Sequence, residues 1–119
     1  TWEGPHPTGI HGQTMTPIAL GGGRTLIIYN QRVGHQGIRM CLVRIAGSRW
    51  TVEGEGVLFD AQSRLDWSAQ HSSQAEIGRI RFGYPMGLRL ASDTVLAVHW
   101  CAAGDGVCEI RWARLRIGG

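Results

Sequence analysis

The stretch FGYPMGLRLASDTVLAVHWCAAGDGVCEIRWARLRI, residues 82–117, decides the fold. Three apolar runs within it are separated by polar turns: Tyr84–Leu90, Val95–Cys101 and Val107–Ile117. The turns are Ala91-Ser92-Asp93-Thr94 and Ala102–Gly106. β-Branched and aromatic residues broken by Gly, Asp and Ser predict three successive antiparallel strands. The same order occurs upstream as Ile18–Leu20, Leu26–Tyr29 and Ile38–Val43. Leu20 and Leu26 stand six apart, as do Leu90 and Leu96, which sets the two copies at an offset of 70. Ile38-Arg39 recurs as Ile110-Arg111, an offset of 72. A sheet-forming unit is therefore present twice, the second time in part.

Working outward, residues 1–11 are rich in Pro, Gly and His and read as a connection. Gln13–Leu20 reads as a first strand, with Pro17 marking an edge or bulge. Gly21-Gly22-Gly23 supplies a tight turn into Arg24–Gln31, and Gly37–Arg44 follows as a third strand. Trp50–Phe59 is expected as a fourth, outermost strand, completing one sheet over 12–59. Residues 60–80 then connect to a three-stranded sheet over 81–117. The polar run 60–76 within them is expected to be a long surface loop, with room for one helical turn. Two face-to-face sheets of this kind should bury Trp50, Trp100 and Trp112.

The composition supports an all-β chain: 43% hydrophobic and 18% charged residues, 18 glycines and five tryptophans in 119 residues. No sustained helical period and no bilayer-length apolar run occurs, so no membrane partner is expected. All twelve basic residues are arginine, and the net charge is +3. Arginine forks suit carboxylates and phosphates. Here they are scattered rather than clustered into a basic stripe, which argues against nucleic acid. The five histidines and three cysteines lack metal-ligand spacing, so neither a metal nor a cofactor is expected. Cys101 and Cys108 could pair across a hairpin, or all three cysteines could be small buried hydrophobes.

Three segments resemble the sialidase (neuraminidase) superfamily of six-bladed propellers. GQTMTPIALGGGRTLIIYNQR (12–32) looks like a blade opening, and GIRMCLVRIAGSRW (37–50) stands where a strand leads into an Asp box. FGYPMGLRLASDTVLAVHWC with EIRWARLRI is similar to the closing blade. Of the box S-x-D-x-G-x-T-W, residues 43–50 keep only Gly47 and Trp50. The resemblance implies a partial six-bladed β-propeller: one four-stranded blade plus three strands of a second, a C-terminal part of the whole. It also implies a retaining exo-α-sialidase type of hydrolase with a tyrosine nucleophile, acting on a terminal acidic sugar. A neutral phenol is less repelled by an anomeric carboxylate than a carboxylate nucleophile would be.

On that resemblance Tyr84 matches the late-blade tyrosine, with Pro85 expected to hold it extended. Arg32 and Arg39 are the candidates for gripping the substrate carboxylate, although the recurrence of Arg39 as Arg111 suggests a role in the sheet. His11, Gln13 and His99 are candidate polar contacts at the channel mouth. The activating Glu and the acid Asp are expected in earlier blades, so this segment alone should be inactive and, with uncovered edges, should self-associate. Two competitors remain: a non-catalytic carbohydrate- or protein-binding propeller, and a small β-sandwich module.

Overall fold

The computed structural model describes residues 1–66 and 80–118. Among these residues seven strands form two antiparallel sheets. The first sheet orders β1 (Gln13–Gly21), β2 (Arg24–Gln31), β3 (Gly34–Ala46) and β4 (Arg49–Leu65) as consecutive neighbours. The second orders β5 (Phe82–Ala91), β6 (Thr94–Ala102) and β7 (Cys108–Arg116) in the same way. The β1–β2 turn is a two-residue loop in which Gly22 and Gly23 hold φ of 59° and 75°, a conformation that only glycine adopts cheaply.

The repeat is carried into the backbone. Ile18 pairs with Leu26, and at the offset of 70 Leu88 pairs with Leu96. The bulge between Ala19 and Gly21 returns between Arg89 and Ala91. Across the next pairing, Tyr29 faces Arg39 as His99 faces Arg111. The Ile45 amide donates to the Gly23 carbonyl at 2.8 Å, and the Ile117 amide to the Asp93 carbonyl at 2.7 Å.

The sheets stack face to face around one core. Ile18, Leu20, Leu26, Ile28 and Ile38 from the first meet Phe82, Val95, Ala97 and Cys101 from the second. β5 lies against β1, β2 and β3, closest to β1, and among the described residues no comparable approach joins β4 to β7. At the near end the Thr16 hydroxyl donates to the Pro85 carbonyl. Gly87 makes the approach possible, because a Cβ there would sit 2.6 Å from Ile18 Cδ1. Further out, Phe59 packs its ring 5.9 Å from Phe82 and 5.2 Å from His99. Arg24 adds a link between the sheets by donating to the Gly118 carbonyl, while Glu53 accepts from both Arg24 and Arg44.

Burial patterns follow from this stacking. β2 is buried on both faces from Leu26 to Asn30, because the first sheet is also covered behind, where Ile10 and Trp50 pack on Ile27, Tyr29, Cys41 and Val43. β6 alternates strictly between buried and half-buried, because the second sheet is covered on one face only.

Several expectations need correction. Residues 60–65 are strand rather than loop: β4 continues until Leu65 pairs with Gly34, and the His35 ring meets Asp60 at 2.7 Å along the way. The expected helical turn further along the 60–76 run lies outside the described residues. Trp112 is 69% exposed because it sits on the uncovered face of the second sheet, and Trp50 and Trp100 are half-buried. Cys41 and Cys101 are buried free thiols, whereas Cys108 is exposed and unpaired.

Candidate functional site

Two loops meet at one end of the stacked sheets. The first is Arg32-Val33, between β2 and β3, and the second is the start of β5 at Phe82-Gly83-Tyr84. Arg32 reaches across the gap. Its guanidinium lies 5.3 Å above the Phe82 ring and donates to the Phe82 carbonyl at 3.4 Å. Its own carbonyl is held by Gln36 Nε2 at 2.8 Å, and Ser63 in turn donates to Gln36. Burial pushes the Arg32 pKa down, and the nearby Tyr84 phenol opposes that shift. Arginine nevertheless stays charged at any ordinary pH.

Tyr84 stands 73% exposed between two anchored neighbours, since Phe82 and Pro85 are fully buried. Among the described residues its hydroxyl has no hydrogen-bond partner. It is not extended, as the following proline led us to expect. Its φ is +46°, because it is the extra residue of a bulge between Gly83 and Met86. The left-handed conformation turns the phenol away from the core that takes its neighbours.

Arg39 lies elsewhere. It faces Tyr29 across the outer face of the first sheet, in a cleft of about 770 Å³. Arg32, Glu55, His11 and Gln13 also line that cleft; Tyr84 does not. Arg32 therefore borders both places, whereas Arg39 shares only the cleft. The cleft exists because the N-terminal stretch lies over the sheet: a Cβ on Gly12 would fall 2.5 Å from the Tyr29 ring. Burial raises the pKa of Tyr29, with Cys41 and Glu55 adding to the shift and Arg39 opposing it. Burial likewise raises that of Cys41, which leaves it an unreactive thiol.

His11 and Gln13 line this cleft rather than the Tyr84 mouth, and His99 belongs to neither. It is buried between the sheets against Phe59, and burial pushes its pKa down. The repeat explains Arg39 in part: its counterpart Arg111 holds its guanidinium 5.9 Å from the Phe59 ring. An arginine at this register position packs along a sheet face in both copies.

Sequence reasoning missed Tyr29 and Asn30. Tyr29 could have been found by aligning the two copies, which sets it opposite Arg39. Asn30 is fully buried, and neither its amide nitrogen nor its oxygen has a partner among the described residues. Its repeat counterpart is Trp100, so a polar side chain at that position was the available signal. No cluster of metal-ligating side chains occurs among the described residues.

No family model, curated protein or solved structure matches this chain.

Proposed function

We propose that this chain is part of a sialidase-like β-propeller that binds and hydrolyses a terminal acidic sugar. Support comes from one juxtaposition: the Arg32 guanidinium and the exposed Tyr84 phenol share one end of the stacked sheets. In this reading Arg32 pairs with the sugar carboxylate by charge-assisted hydrogen bonds. That pairing would set the anomeric carbon over the phenol oxygen, which attacks it and forms a tyrosyl intermediate that water then hydrolyses. The base that takes the phenol proton and the acid that protonates the leaving oxygen would come from outside the described residues. The wedge-like approach of β5 to β1, with β4 and β7 apart, fits blades set around an axis.

A second reading, a propeller that binds glycan without chemistry, is favoured by one observation. No carboxylate hydrogen-bonds to Tyr84 among the described residues; Glu53 and Glu55 lie on β4, Glu53 paired with Arg24 and Arg44 and Glu55 lining the cleft. The test is turnover of a fluorogenic α-sialoside by the full protein, alongside calorimetric titration with free sialic acid. Turnover supports the hydrolase, binding without turnover supports the second reading, and the absence of both turnover and binding would remove both readings.

A further inference from the structure

The cleft on the outer face of the first sheet is a cavity that the Tyr84 mouth does not use. Its volume of about 770 Å³ falls in the range of small-molecule sites, about 300–1,000 Å³. The N-terminal stretch makes one wall, and β2, β3 and β4 make the floor.

Two opposite charges stand in it. Tyr29 faces Arg39 across one pairing, Arg39 faces Val57 across the next, and Cys41 faces Glu55. Arg39 and Glu55 are therefore diagonal neighbours on one face, a relationship that sets two residues about 7–8 Å apart. Both act on the Tyr29 phenol, with opposite signs. Among the described residues neither the Arg39 guanidinium nor the Glu55 carboxylate enters an ion pair. Neither makes a side-chain hydrogen bond there, and the Tyr29 hydroxyl has no partner.

The repeat shows what this arginine does when its role is structural. Arg111 donates to Glu109, two residues earlier on its own strand, at 2.6 Å. At the offset of 72 the counterpart of Glu109 is Gly37. No side chain can stand there, because a Cβ would collide with the Phe59 carbonyl oxygen. The first copy thus keeps the arginine, half-buried, without the carboxylate that pairs it in the second. Glu55, on the next strand, leaves it unpaired too. Beyond the two charges the lining is apolar at Ile10, Val33 and Val52.

We propose that this cleft binds a free α-amino acid with an apolar side chain. Arg39 pairs with the ligand carboxylate, Glu55 pairs with its ammonium, and Ile10, Val33 and Val52 receive the side chain. A ligand with both charges on one carbon suits protein charges that are diagonal neighbours. A simple anion would leave Glu55 unpaired and would be repelled by it. The inference does not depend on the glycosidase reading, because Tyr84 takes no part in the cleft.

The test is calorimetric titration of the 119-residue chain with L-leucine. Two analogues accompany it: 4-methylpentanoate, which lacks the ammonium, and 3-methylbutylamine, which lacks the carboxylate. L-Leucine should bind, and each analogue should bind roughly 10-fold more weakly or worse. Arg39→Gln and Glu55→Gln should each weaken L-leucine binding roughly 10- to 100-fold with an unchanged circular dichroism spectrum. Arg111→Gln makes the same change of charge in the second copy and should leave binding as it was. Absence of L-leucine binding up to about 10 mM, well above a weak millimolar Kd, overturns the proposal. So does 4-methylpentanoate binding as tightly as L-leucine with Glu55→Gln without effect, which would make the cleft a plain anion site. Binding of L-leucine that Arg39→Gln leaves intact would place the amino acid elsewhere and also overturns it.

Discussion

Thr14 and Tyr84, repeat counterparts at the offset of 70, hold the same backbone conformation at the same place in their sheets, with φ of 48° and 46°. Each is the extra residue at the start of its sheet's first strand, the one between Gln13 and Met15 and the other beyond Gly83. The side chains share no chemistry, so the bulge is a property of the fold rather than of either residue. Holding a non-glycine residue there has a cost, and β-branched threonine bears it with least relief.

Thr14→Gly should therefore stabilise the chain. Relief of the left-handed strain, about 1–2 kcal/mol, exceeds the extra unfolded-state entropy of glycine, about 0.5–1 kcal/mol. A net gain of about 0.5–1 kcal/mol is expected and would appear as a higher urea midpoint at an unchanged slope. An unchanged or lower midpoint would mean that the Thr14 side chain supports the bulge.

Gly87→Ala should act in the opposite direction. The added Cβ would meet Ile18 at 2.6 and 2.9 Å in the middle of the core, where Ile18 and Ile28 have little room to move. Overpacking of this kind costs about 1–3 kcal/mol. Gly104 is the comparison, since a Cβ there meets nothing within 4 Å and its φ is not left-handed. Gly104→Ala should be close to neutral in the same denaturation experiment.

His99 gives the fold a dependence on pH. Burial lowers its pKa below the ordinary histidine value, so the unfolded chain takes up the proton first as pH falls. The stability it contributes is complete above about 6.5 and is lost as pH drops through that value towards the folded-state pKa. Melting should therefore weaken between about pH 7 and pH 5 in the wild type, and His99→Gln should flatten that part of the profile. Equal slopes in the two proteins would show that other groups carry the effect.

The strands were legible because their alternation and turn residues are strong local signals, and the sheet order followed from the offsets of 70 and 72. What escaped depended on contacts distant in sequence. Residues 60–65 read as polar loop, yet they are strand because β3 begins at Gly34 and supplies partners through Leu65. Trp112 looked like core because tryptophan is apolar, but its face has no covering sheet among the described residues. Arg39 and Tyr84 were grouped by the family resemblance. Register separates them, placing Arg39 opposite Tyr29 on the outer face. The conformation of Tyr84 escaped because a proline after it excludes right-handed helix without excluding a left-handed bulge.

The remaining prediction concerns the mouth where Arg32 and Tyr84 meet. If the phenol is the nucleophile, Tyr84→Phe in the full protein should lower kcat on an α-sialoside roughly 100-fold or more with little change in KM, since only the reacting oxygen is lost. Arg32→Gln should act mainly on binding. A hydrogen bond to a charged group contributes about 1.5–3 kcal/mol, so KM should rise roughly 10- to 100-fold. Arg39→Gln is the internal comparison, because it changes charge by the same amount on the outer face of the first sheet, beside Tyr29 rather than Tyr84. It should leave both constants near wild type. Should Arg39→Gln weaken sialoside binding as much as Arg32→Gln, the ligand occupies the cleft. Full turnover by Tyr84→Phe would remove the phenol from the chemistry, leaving Arg32 as a binding residue.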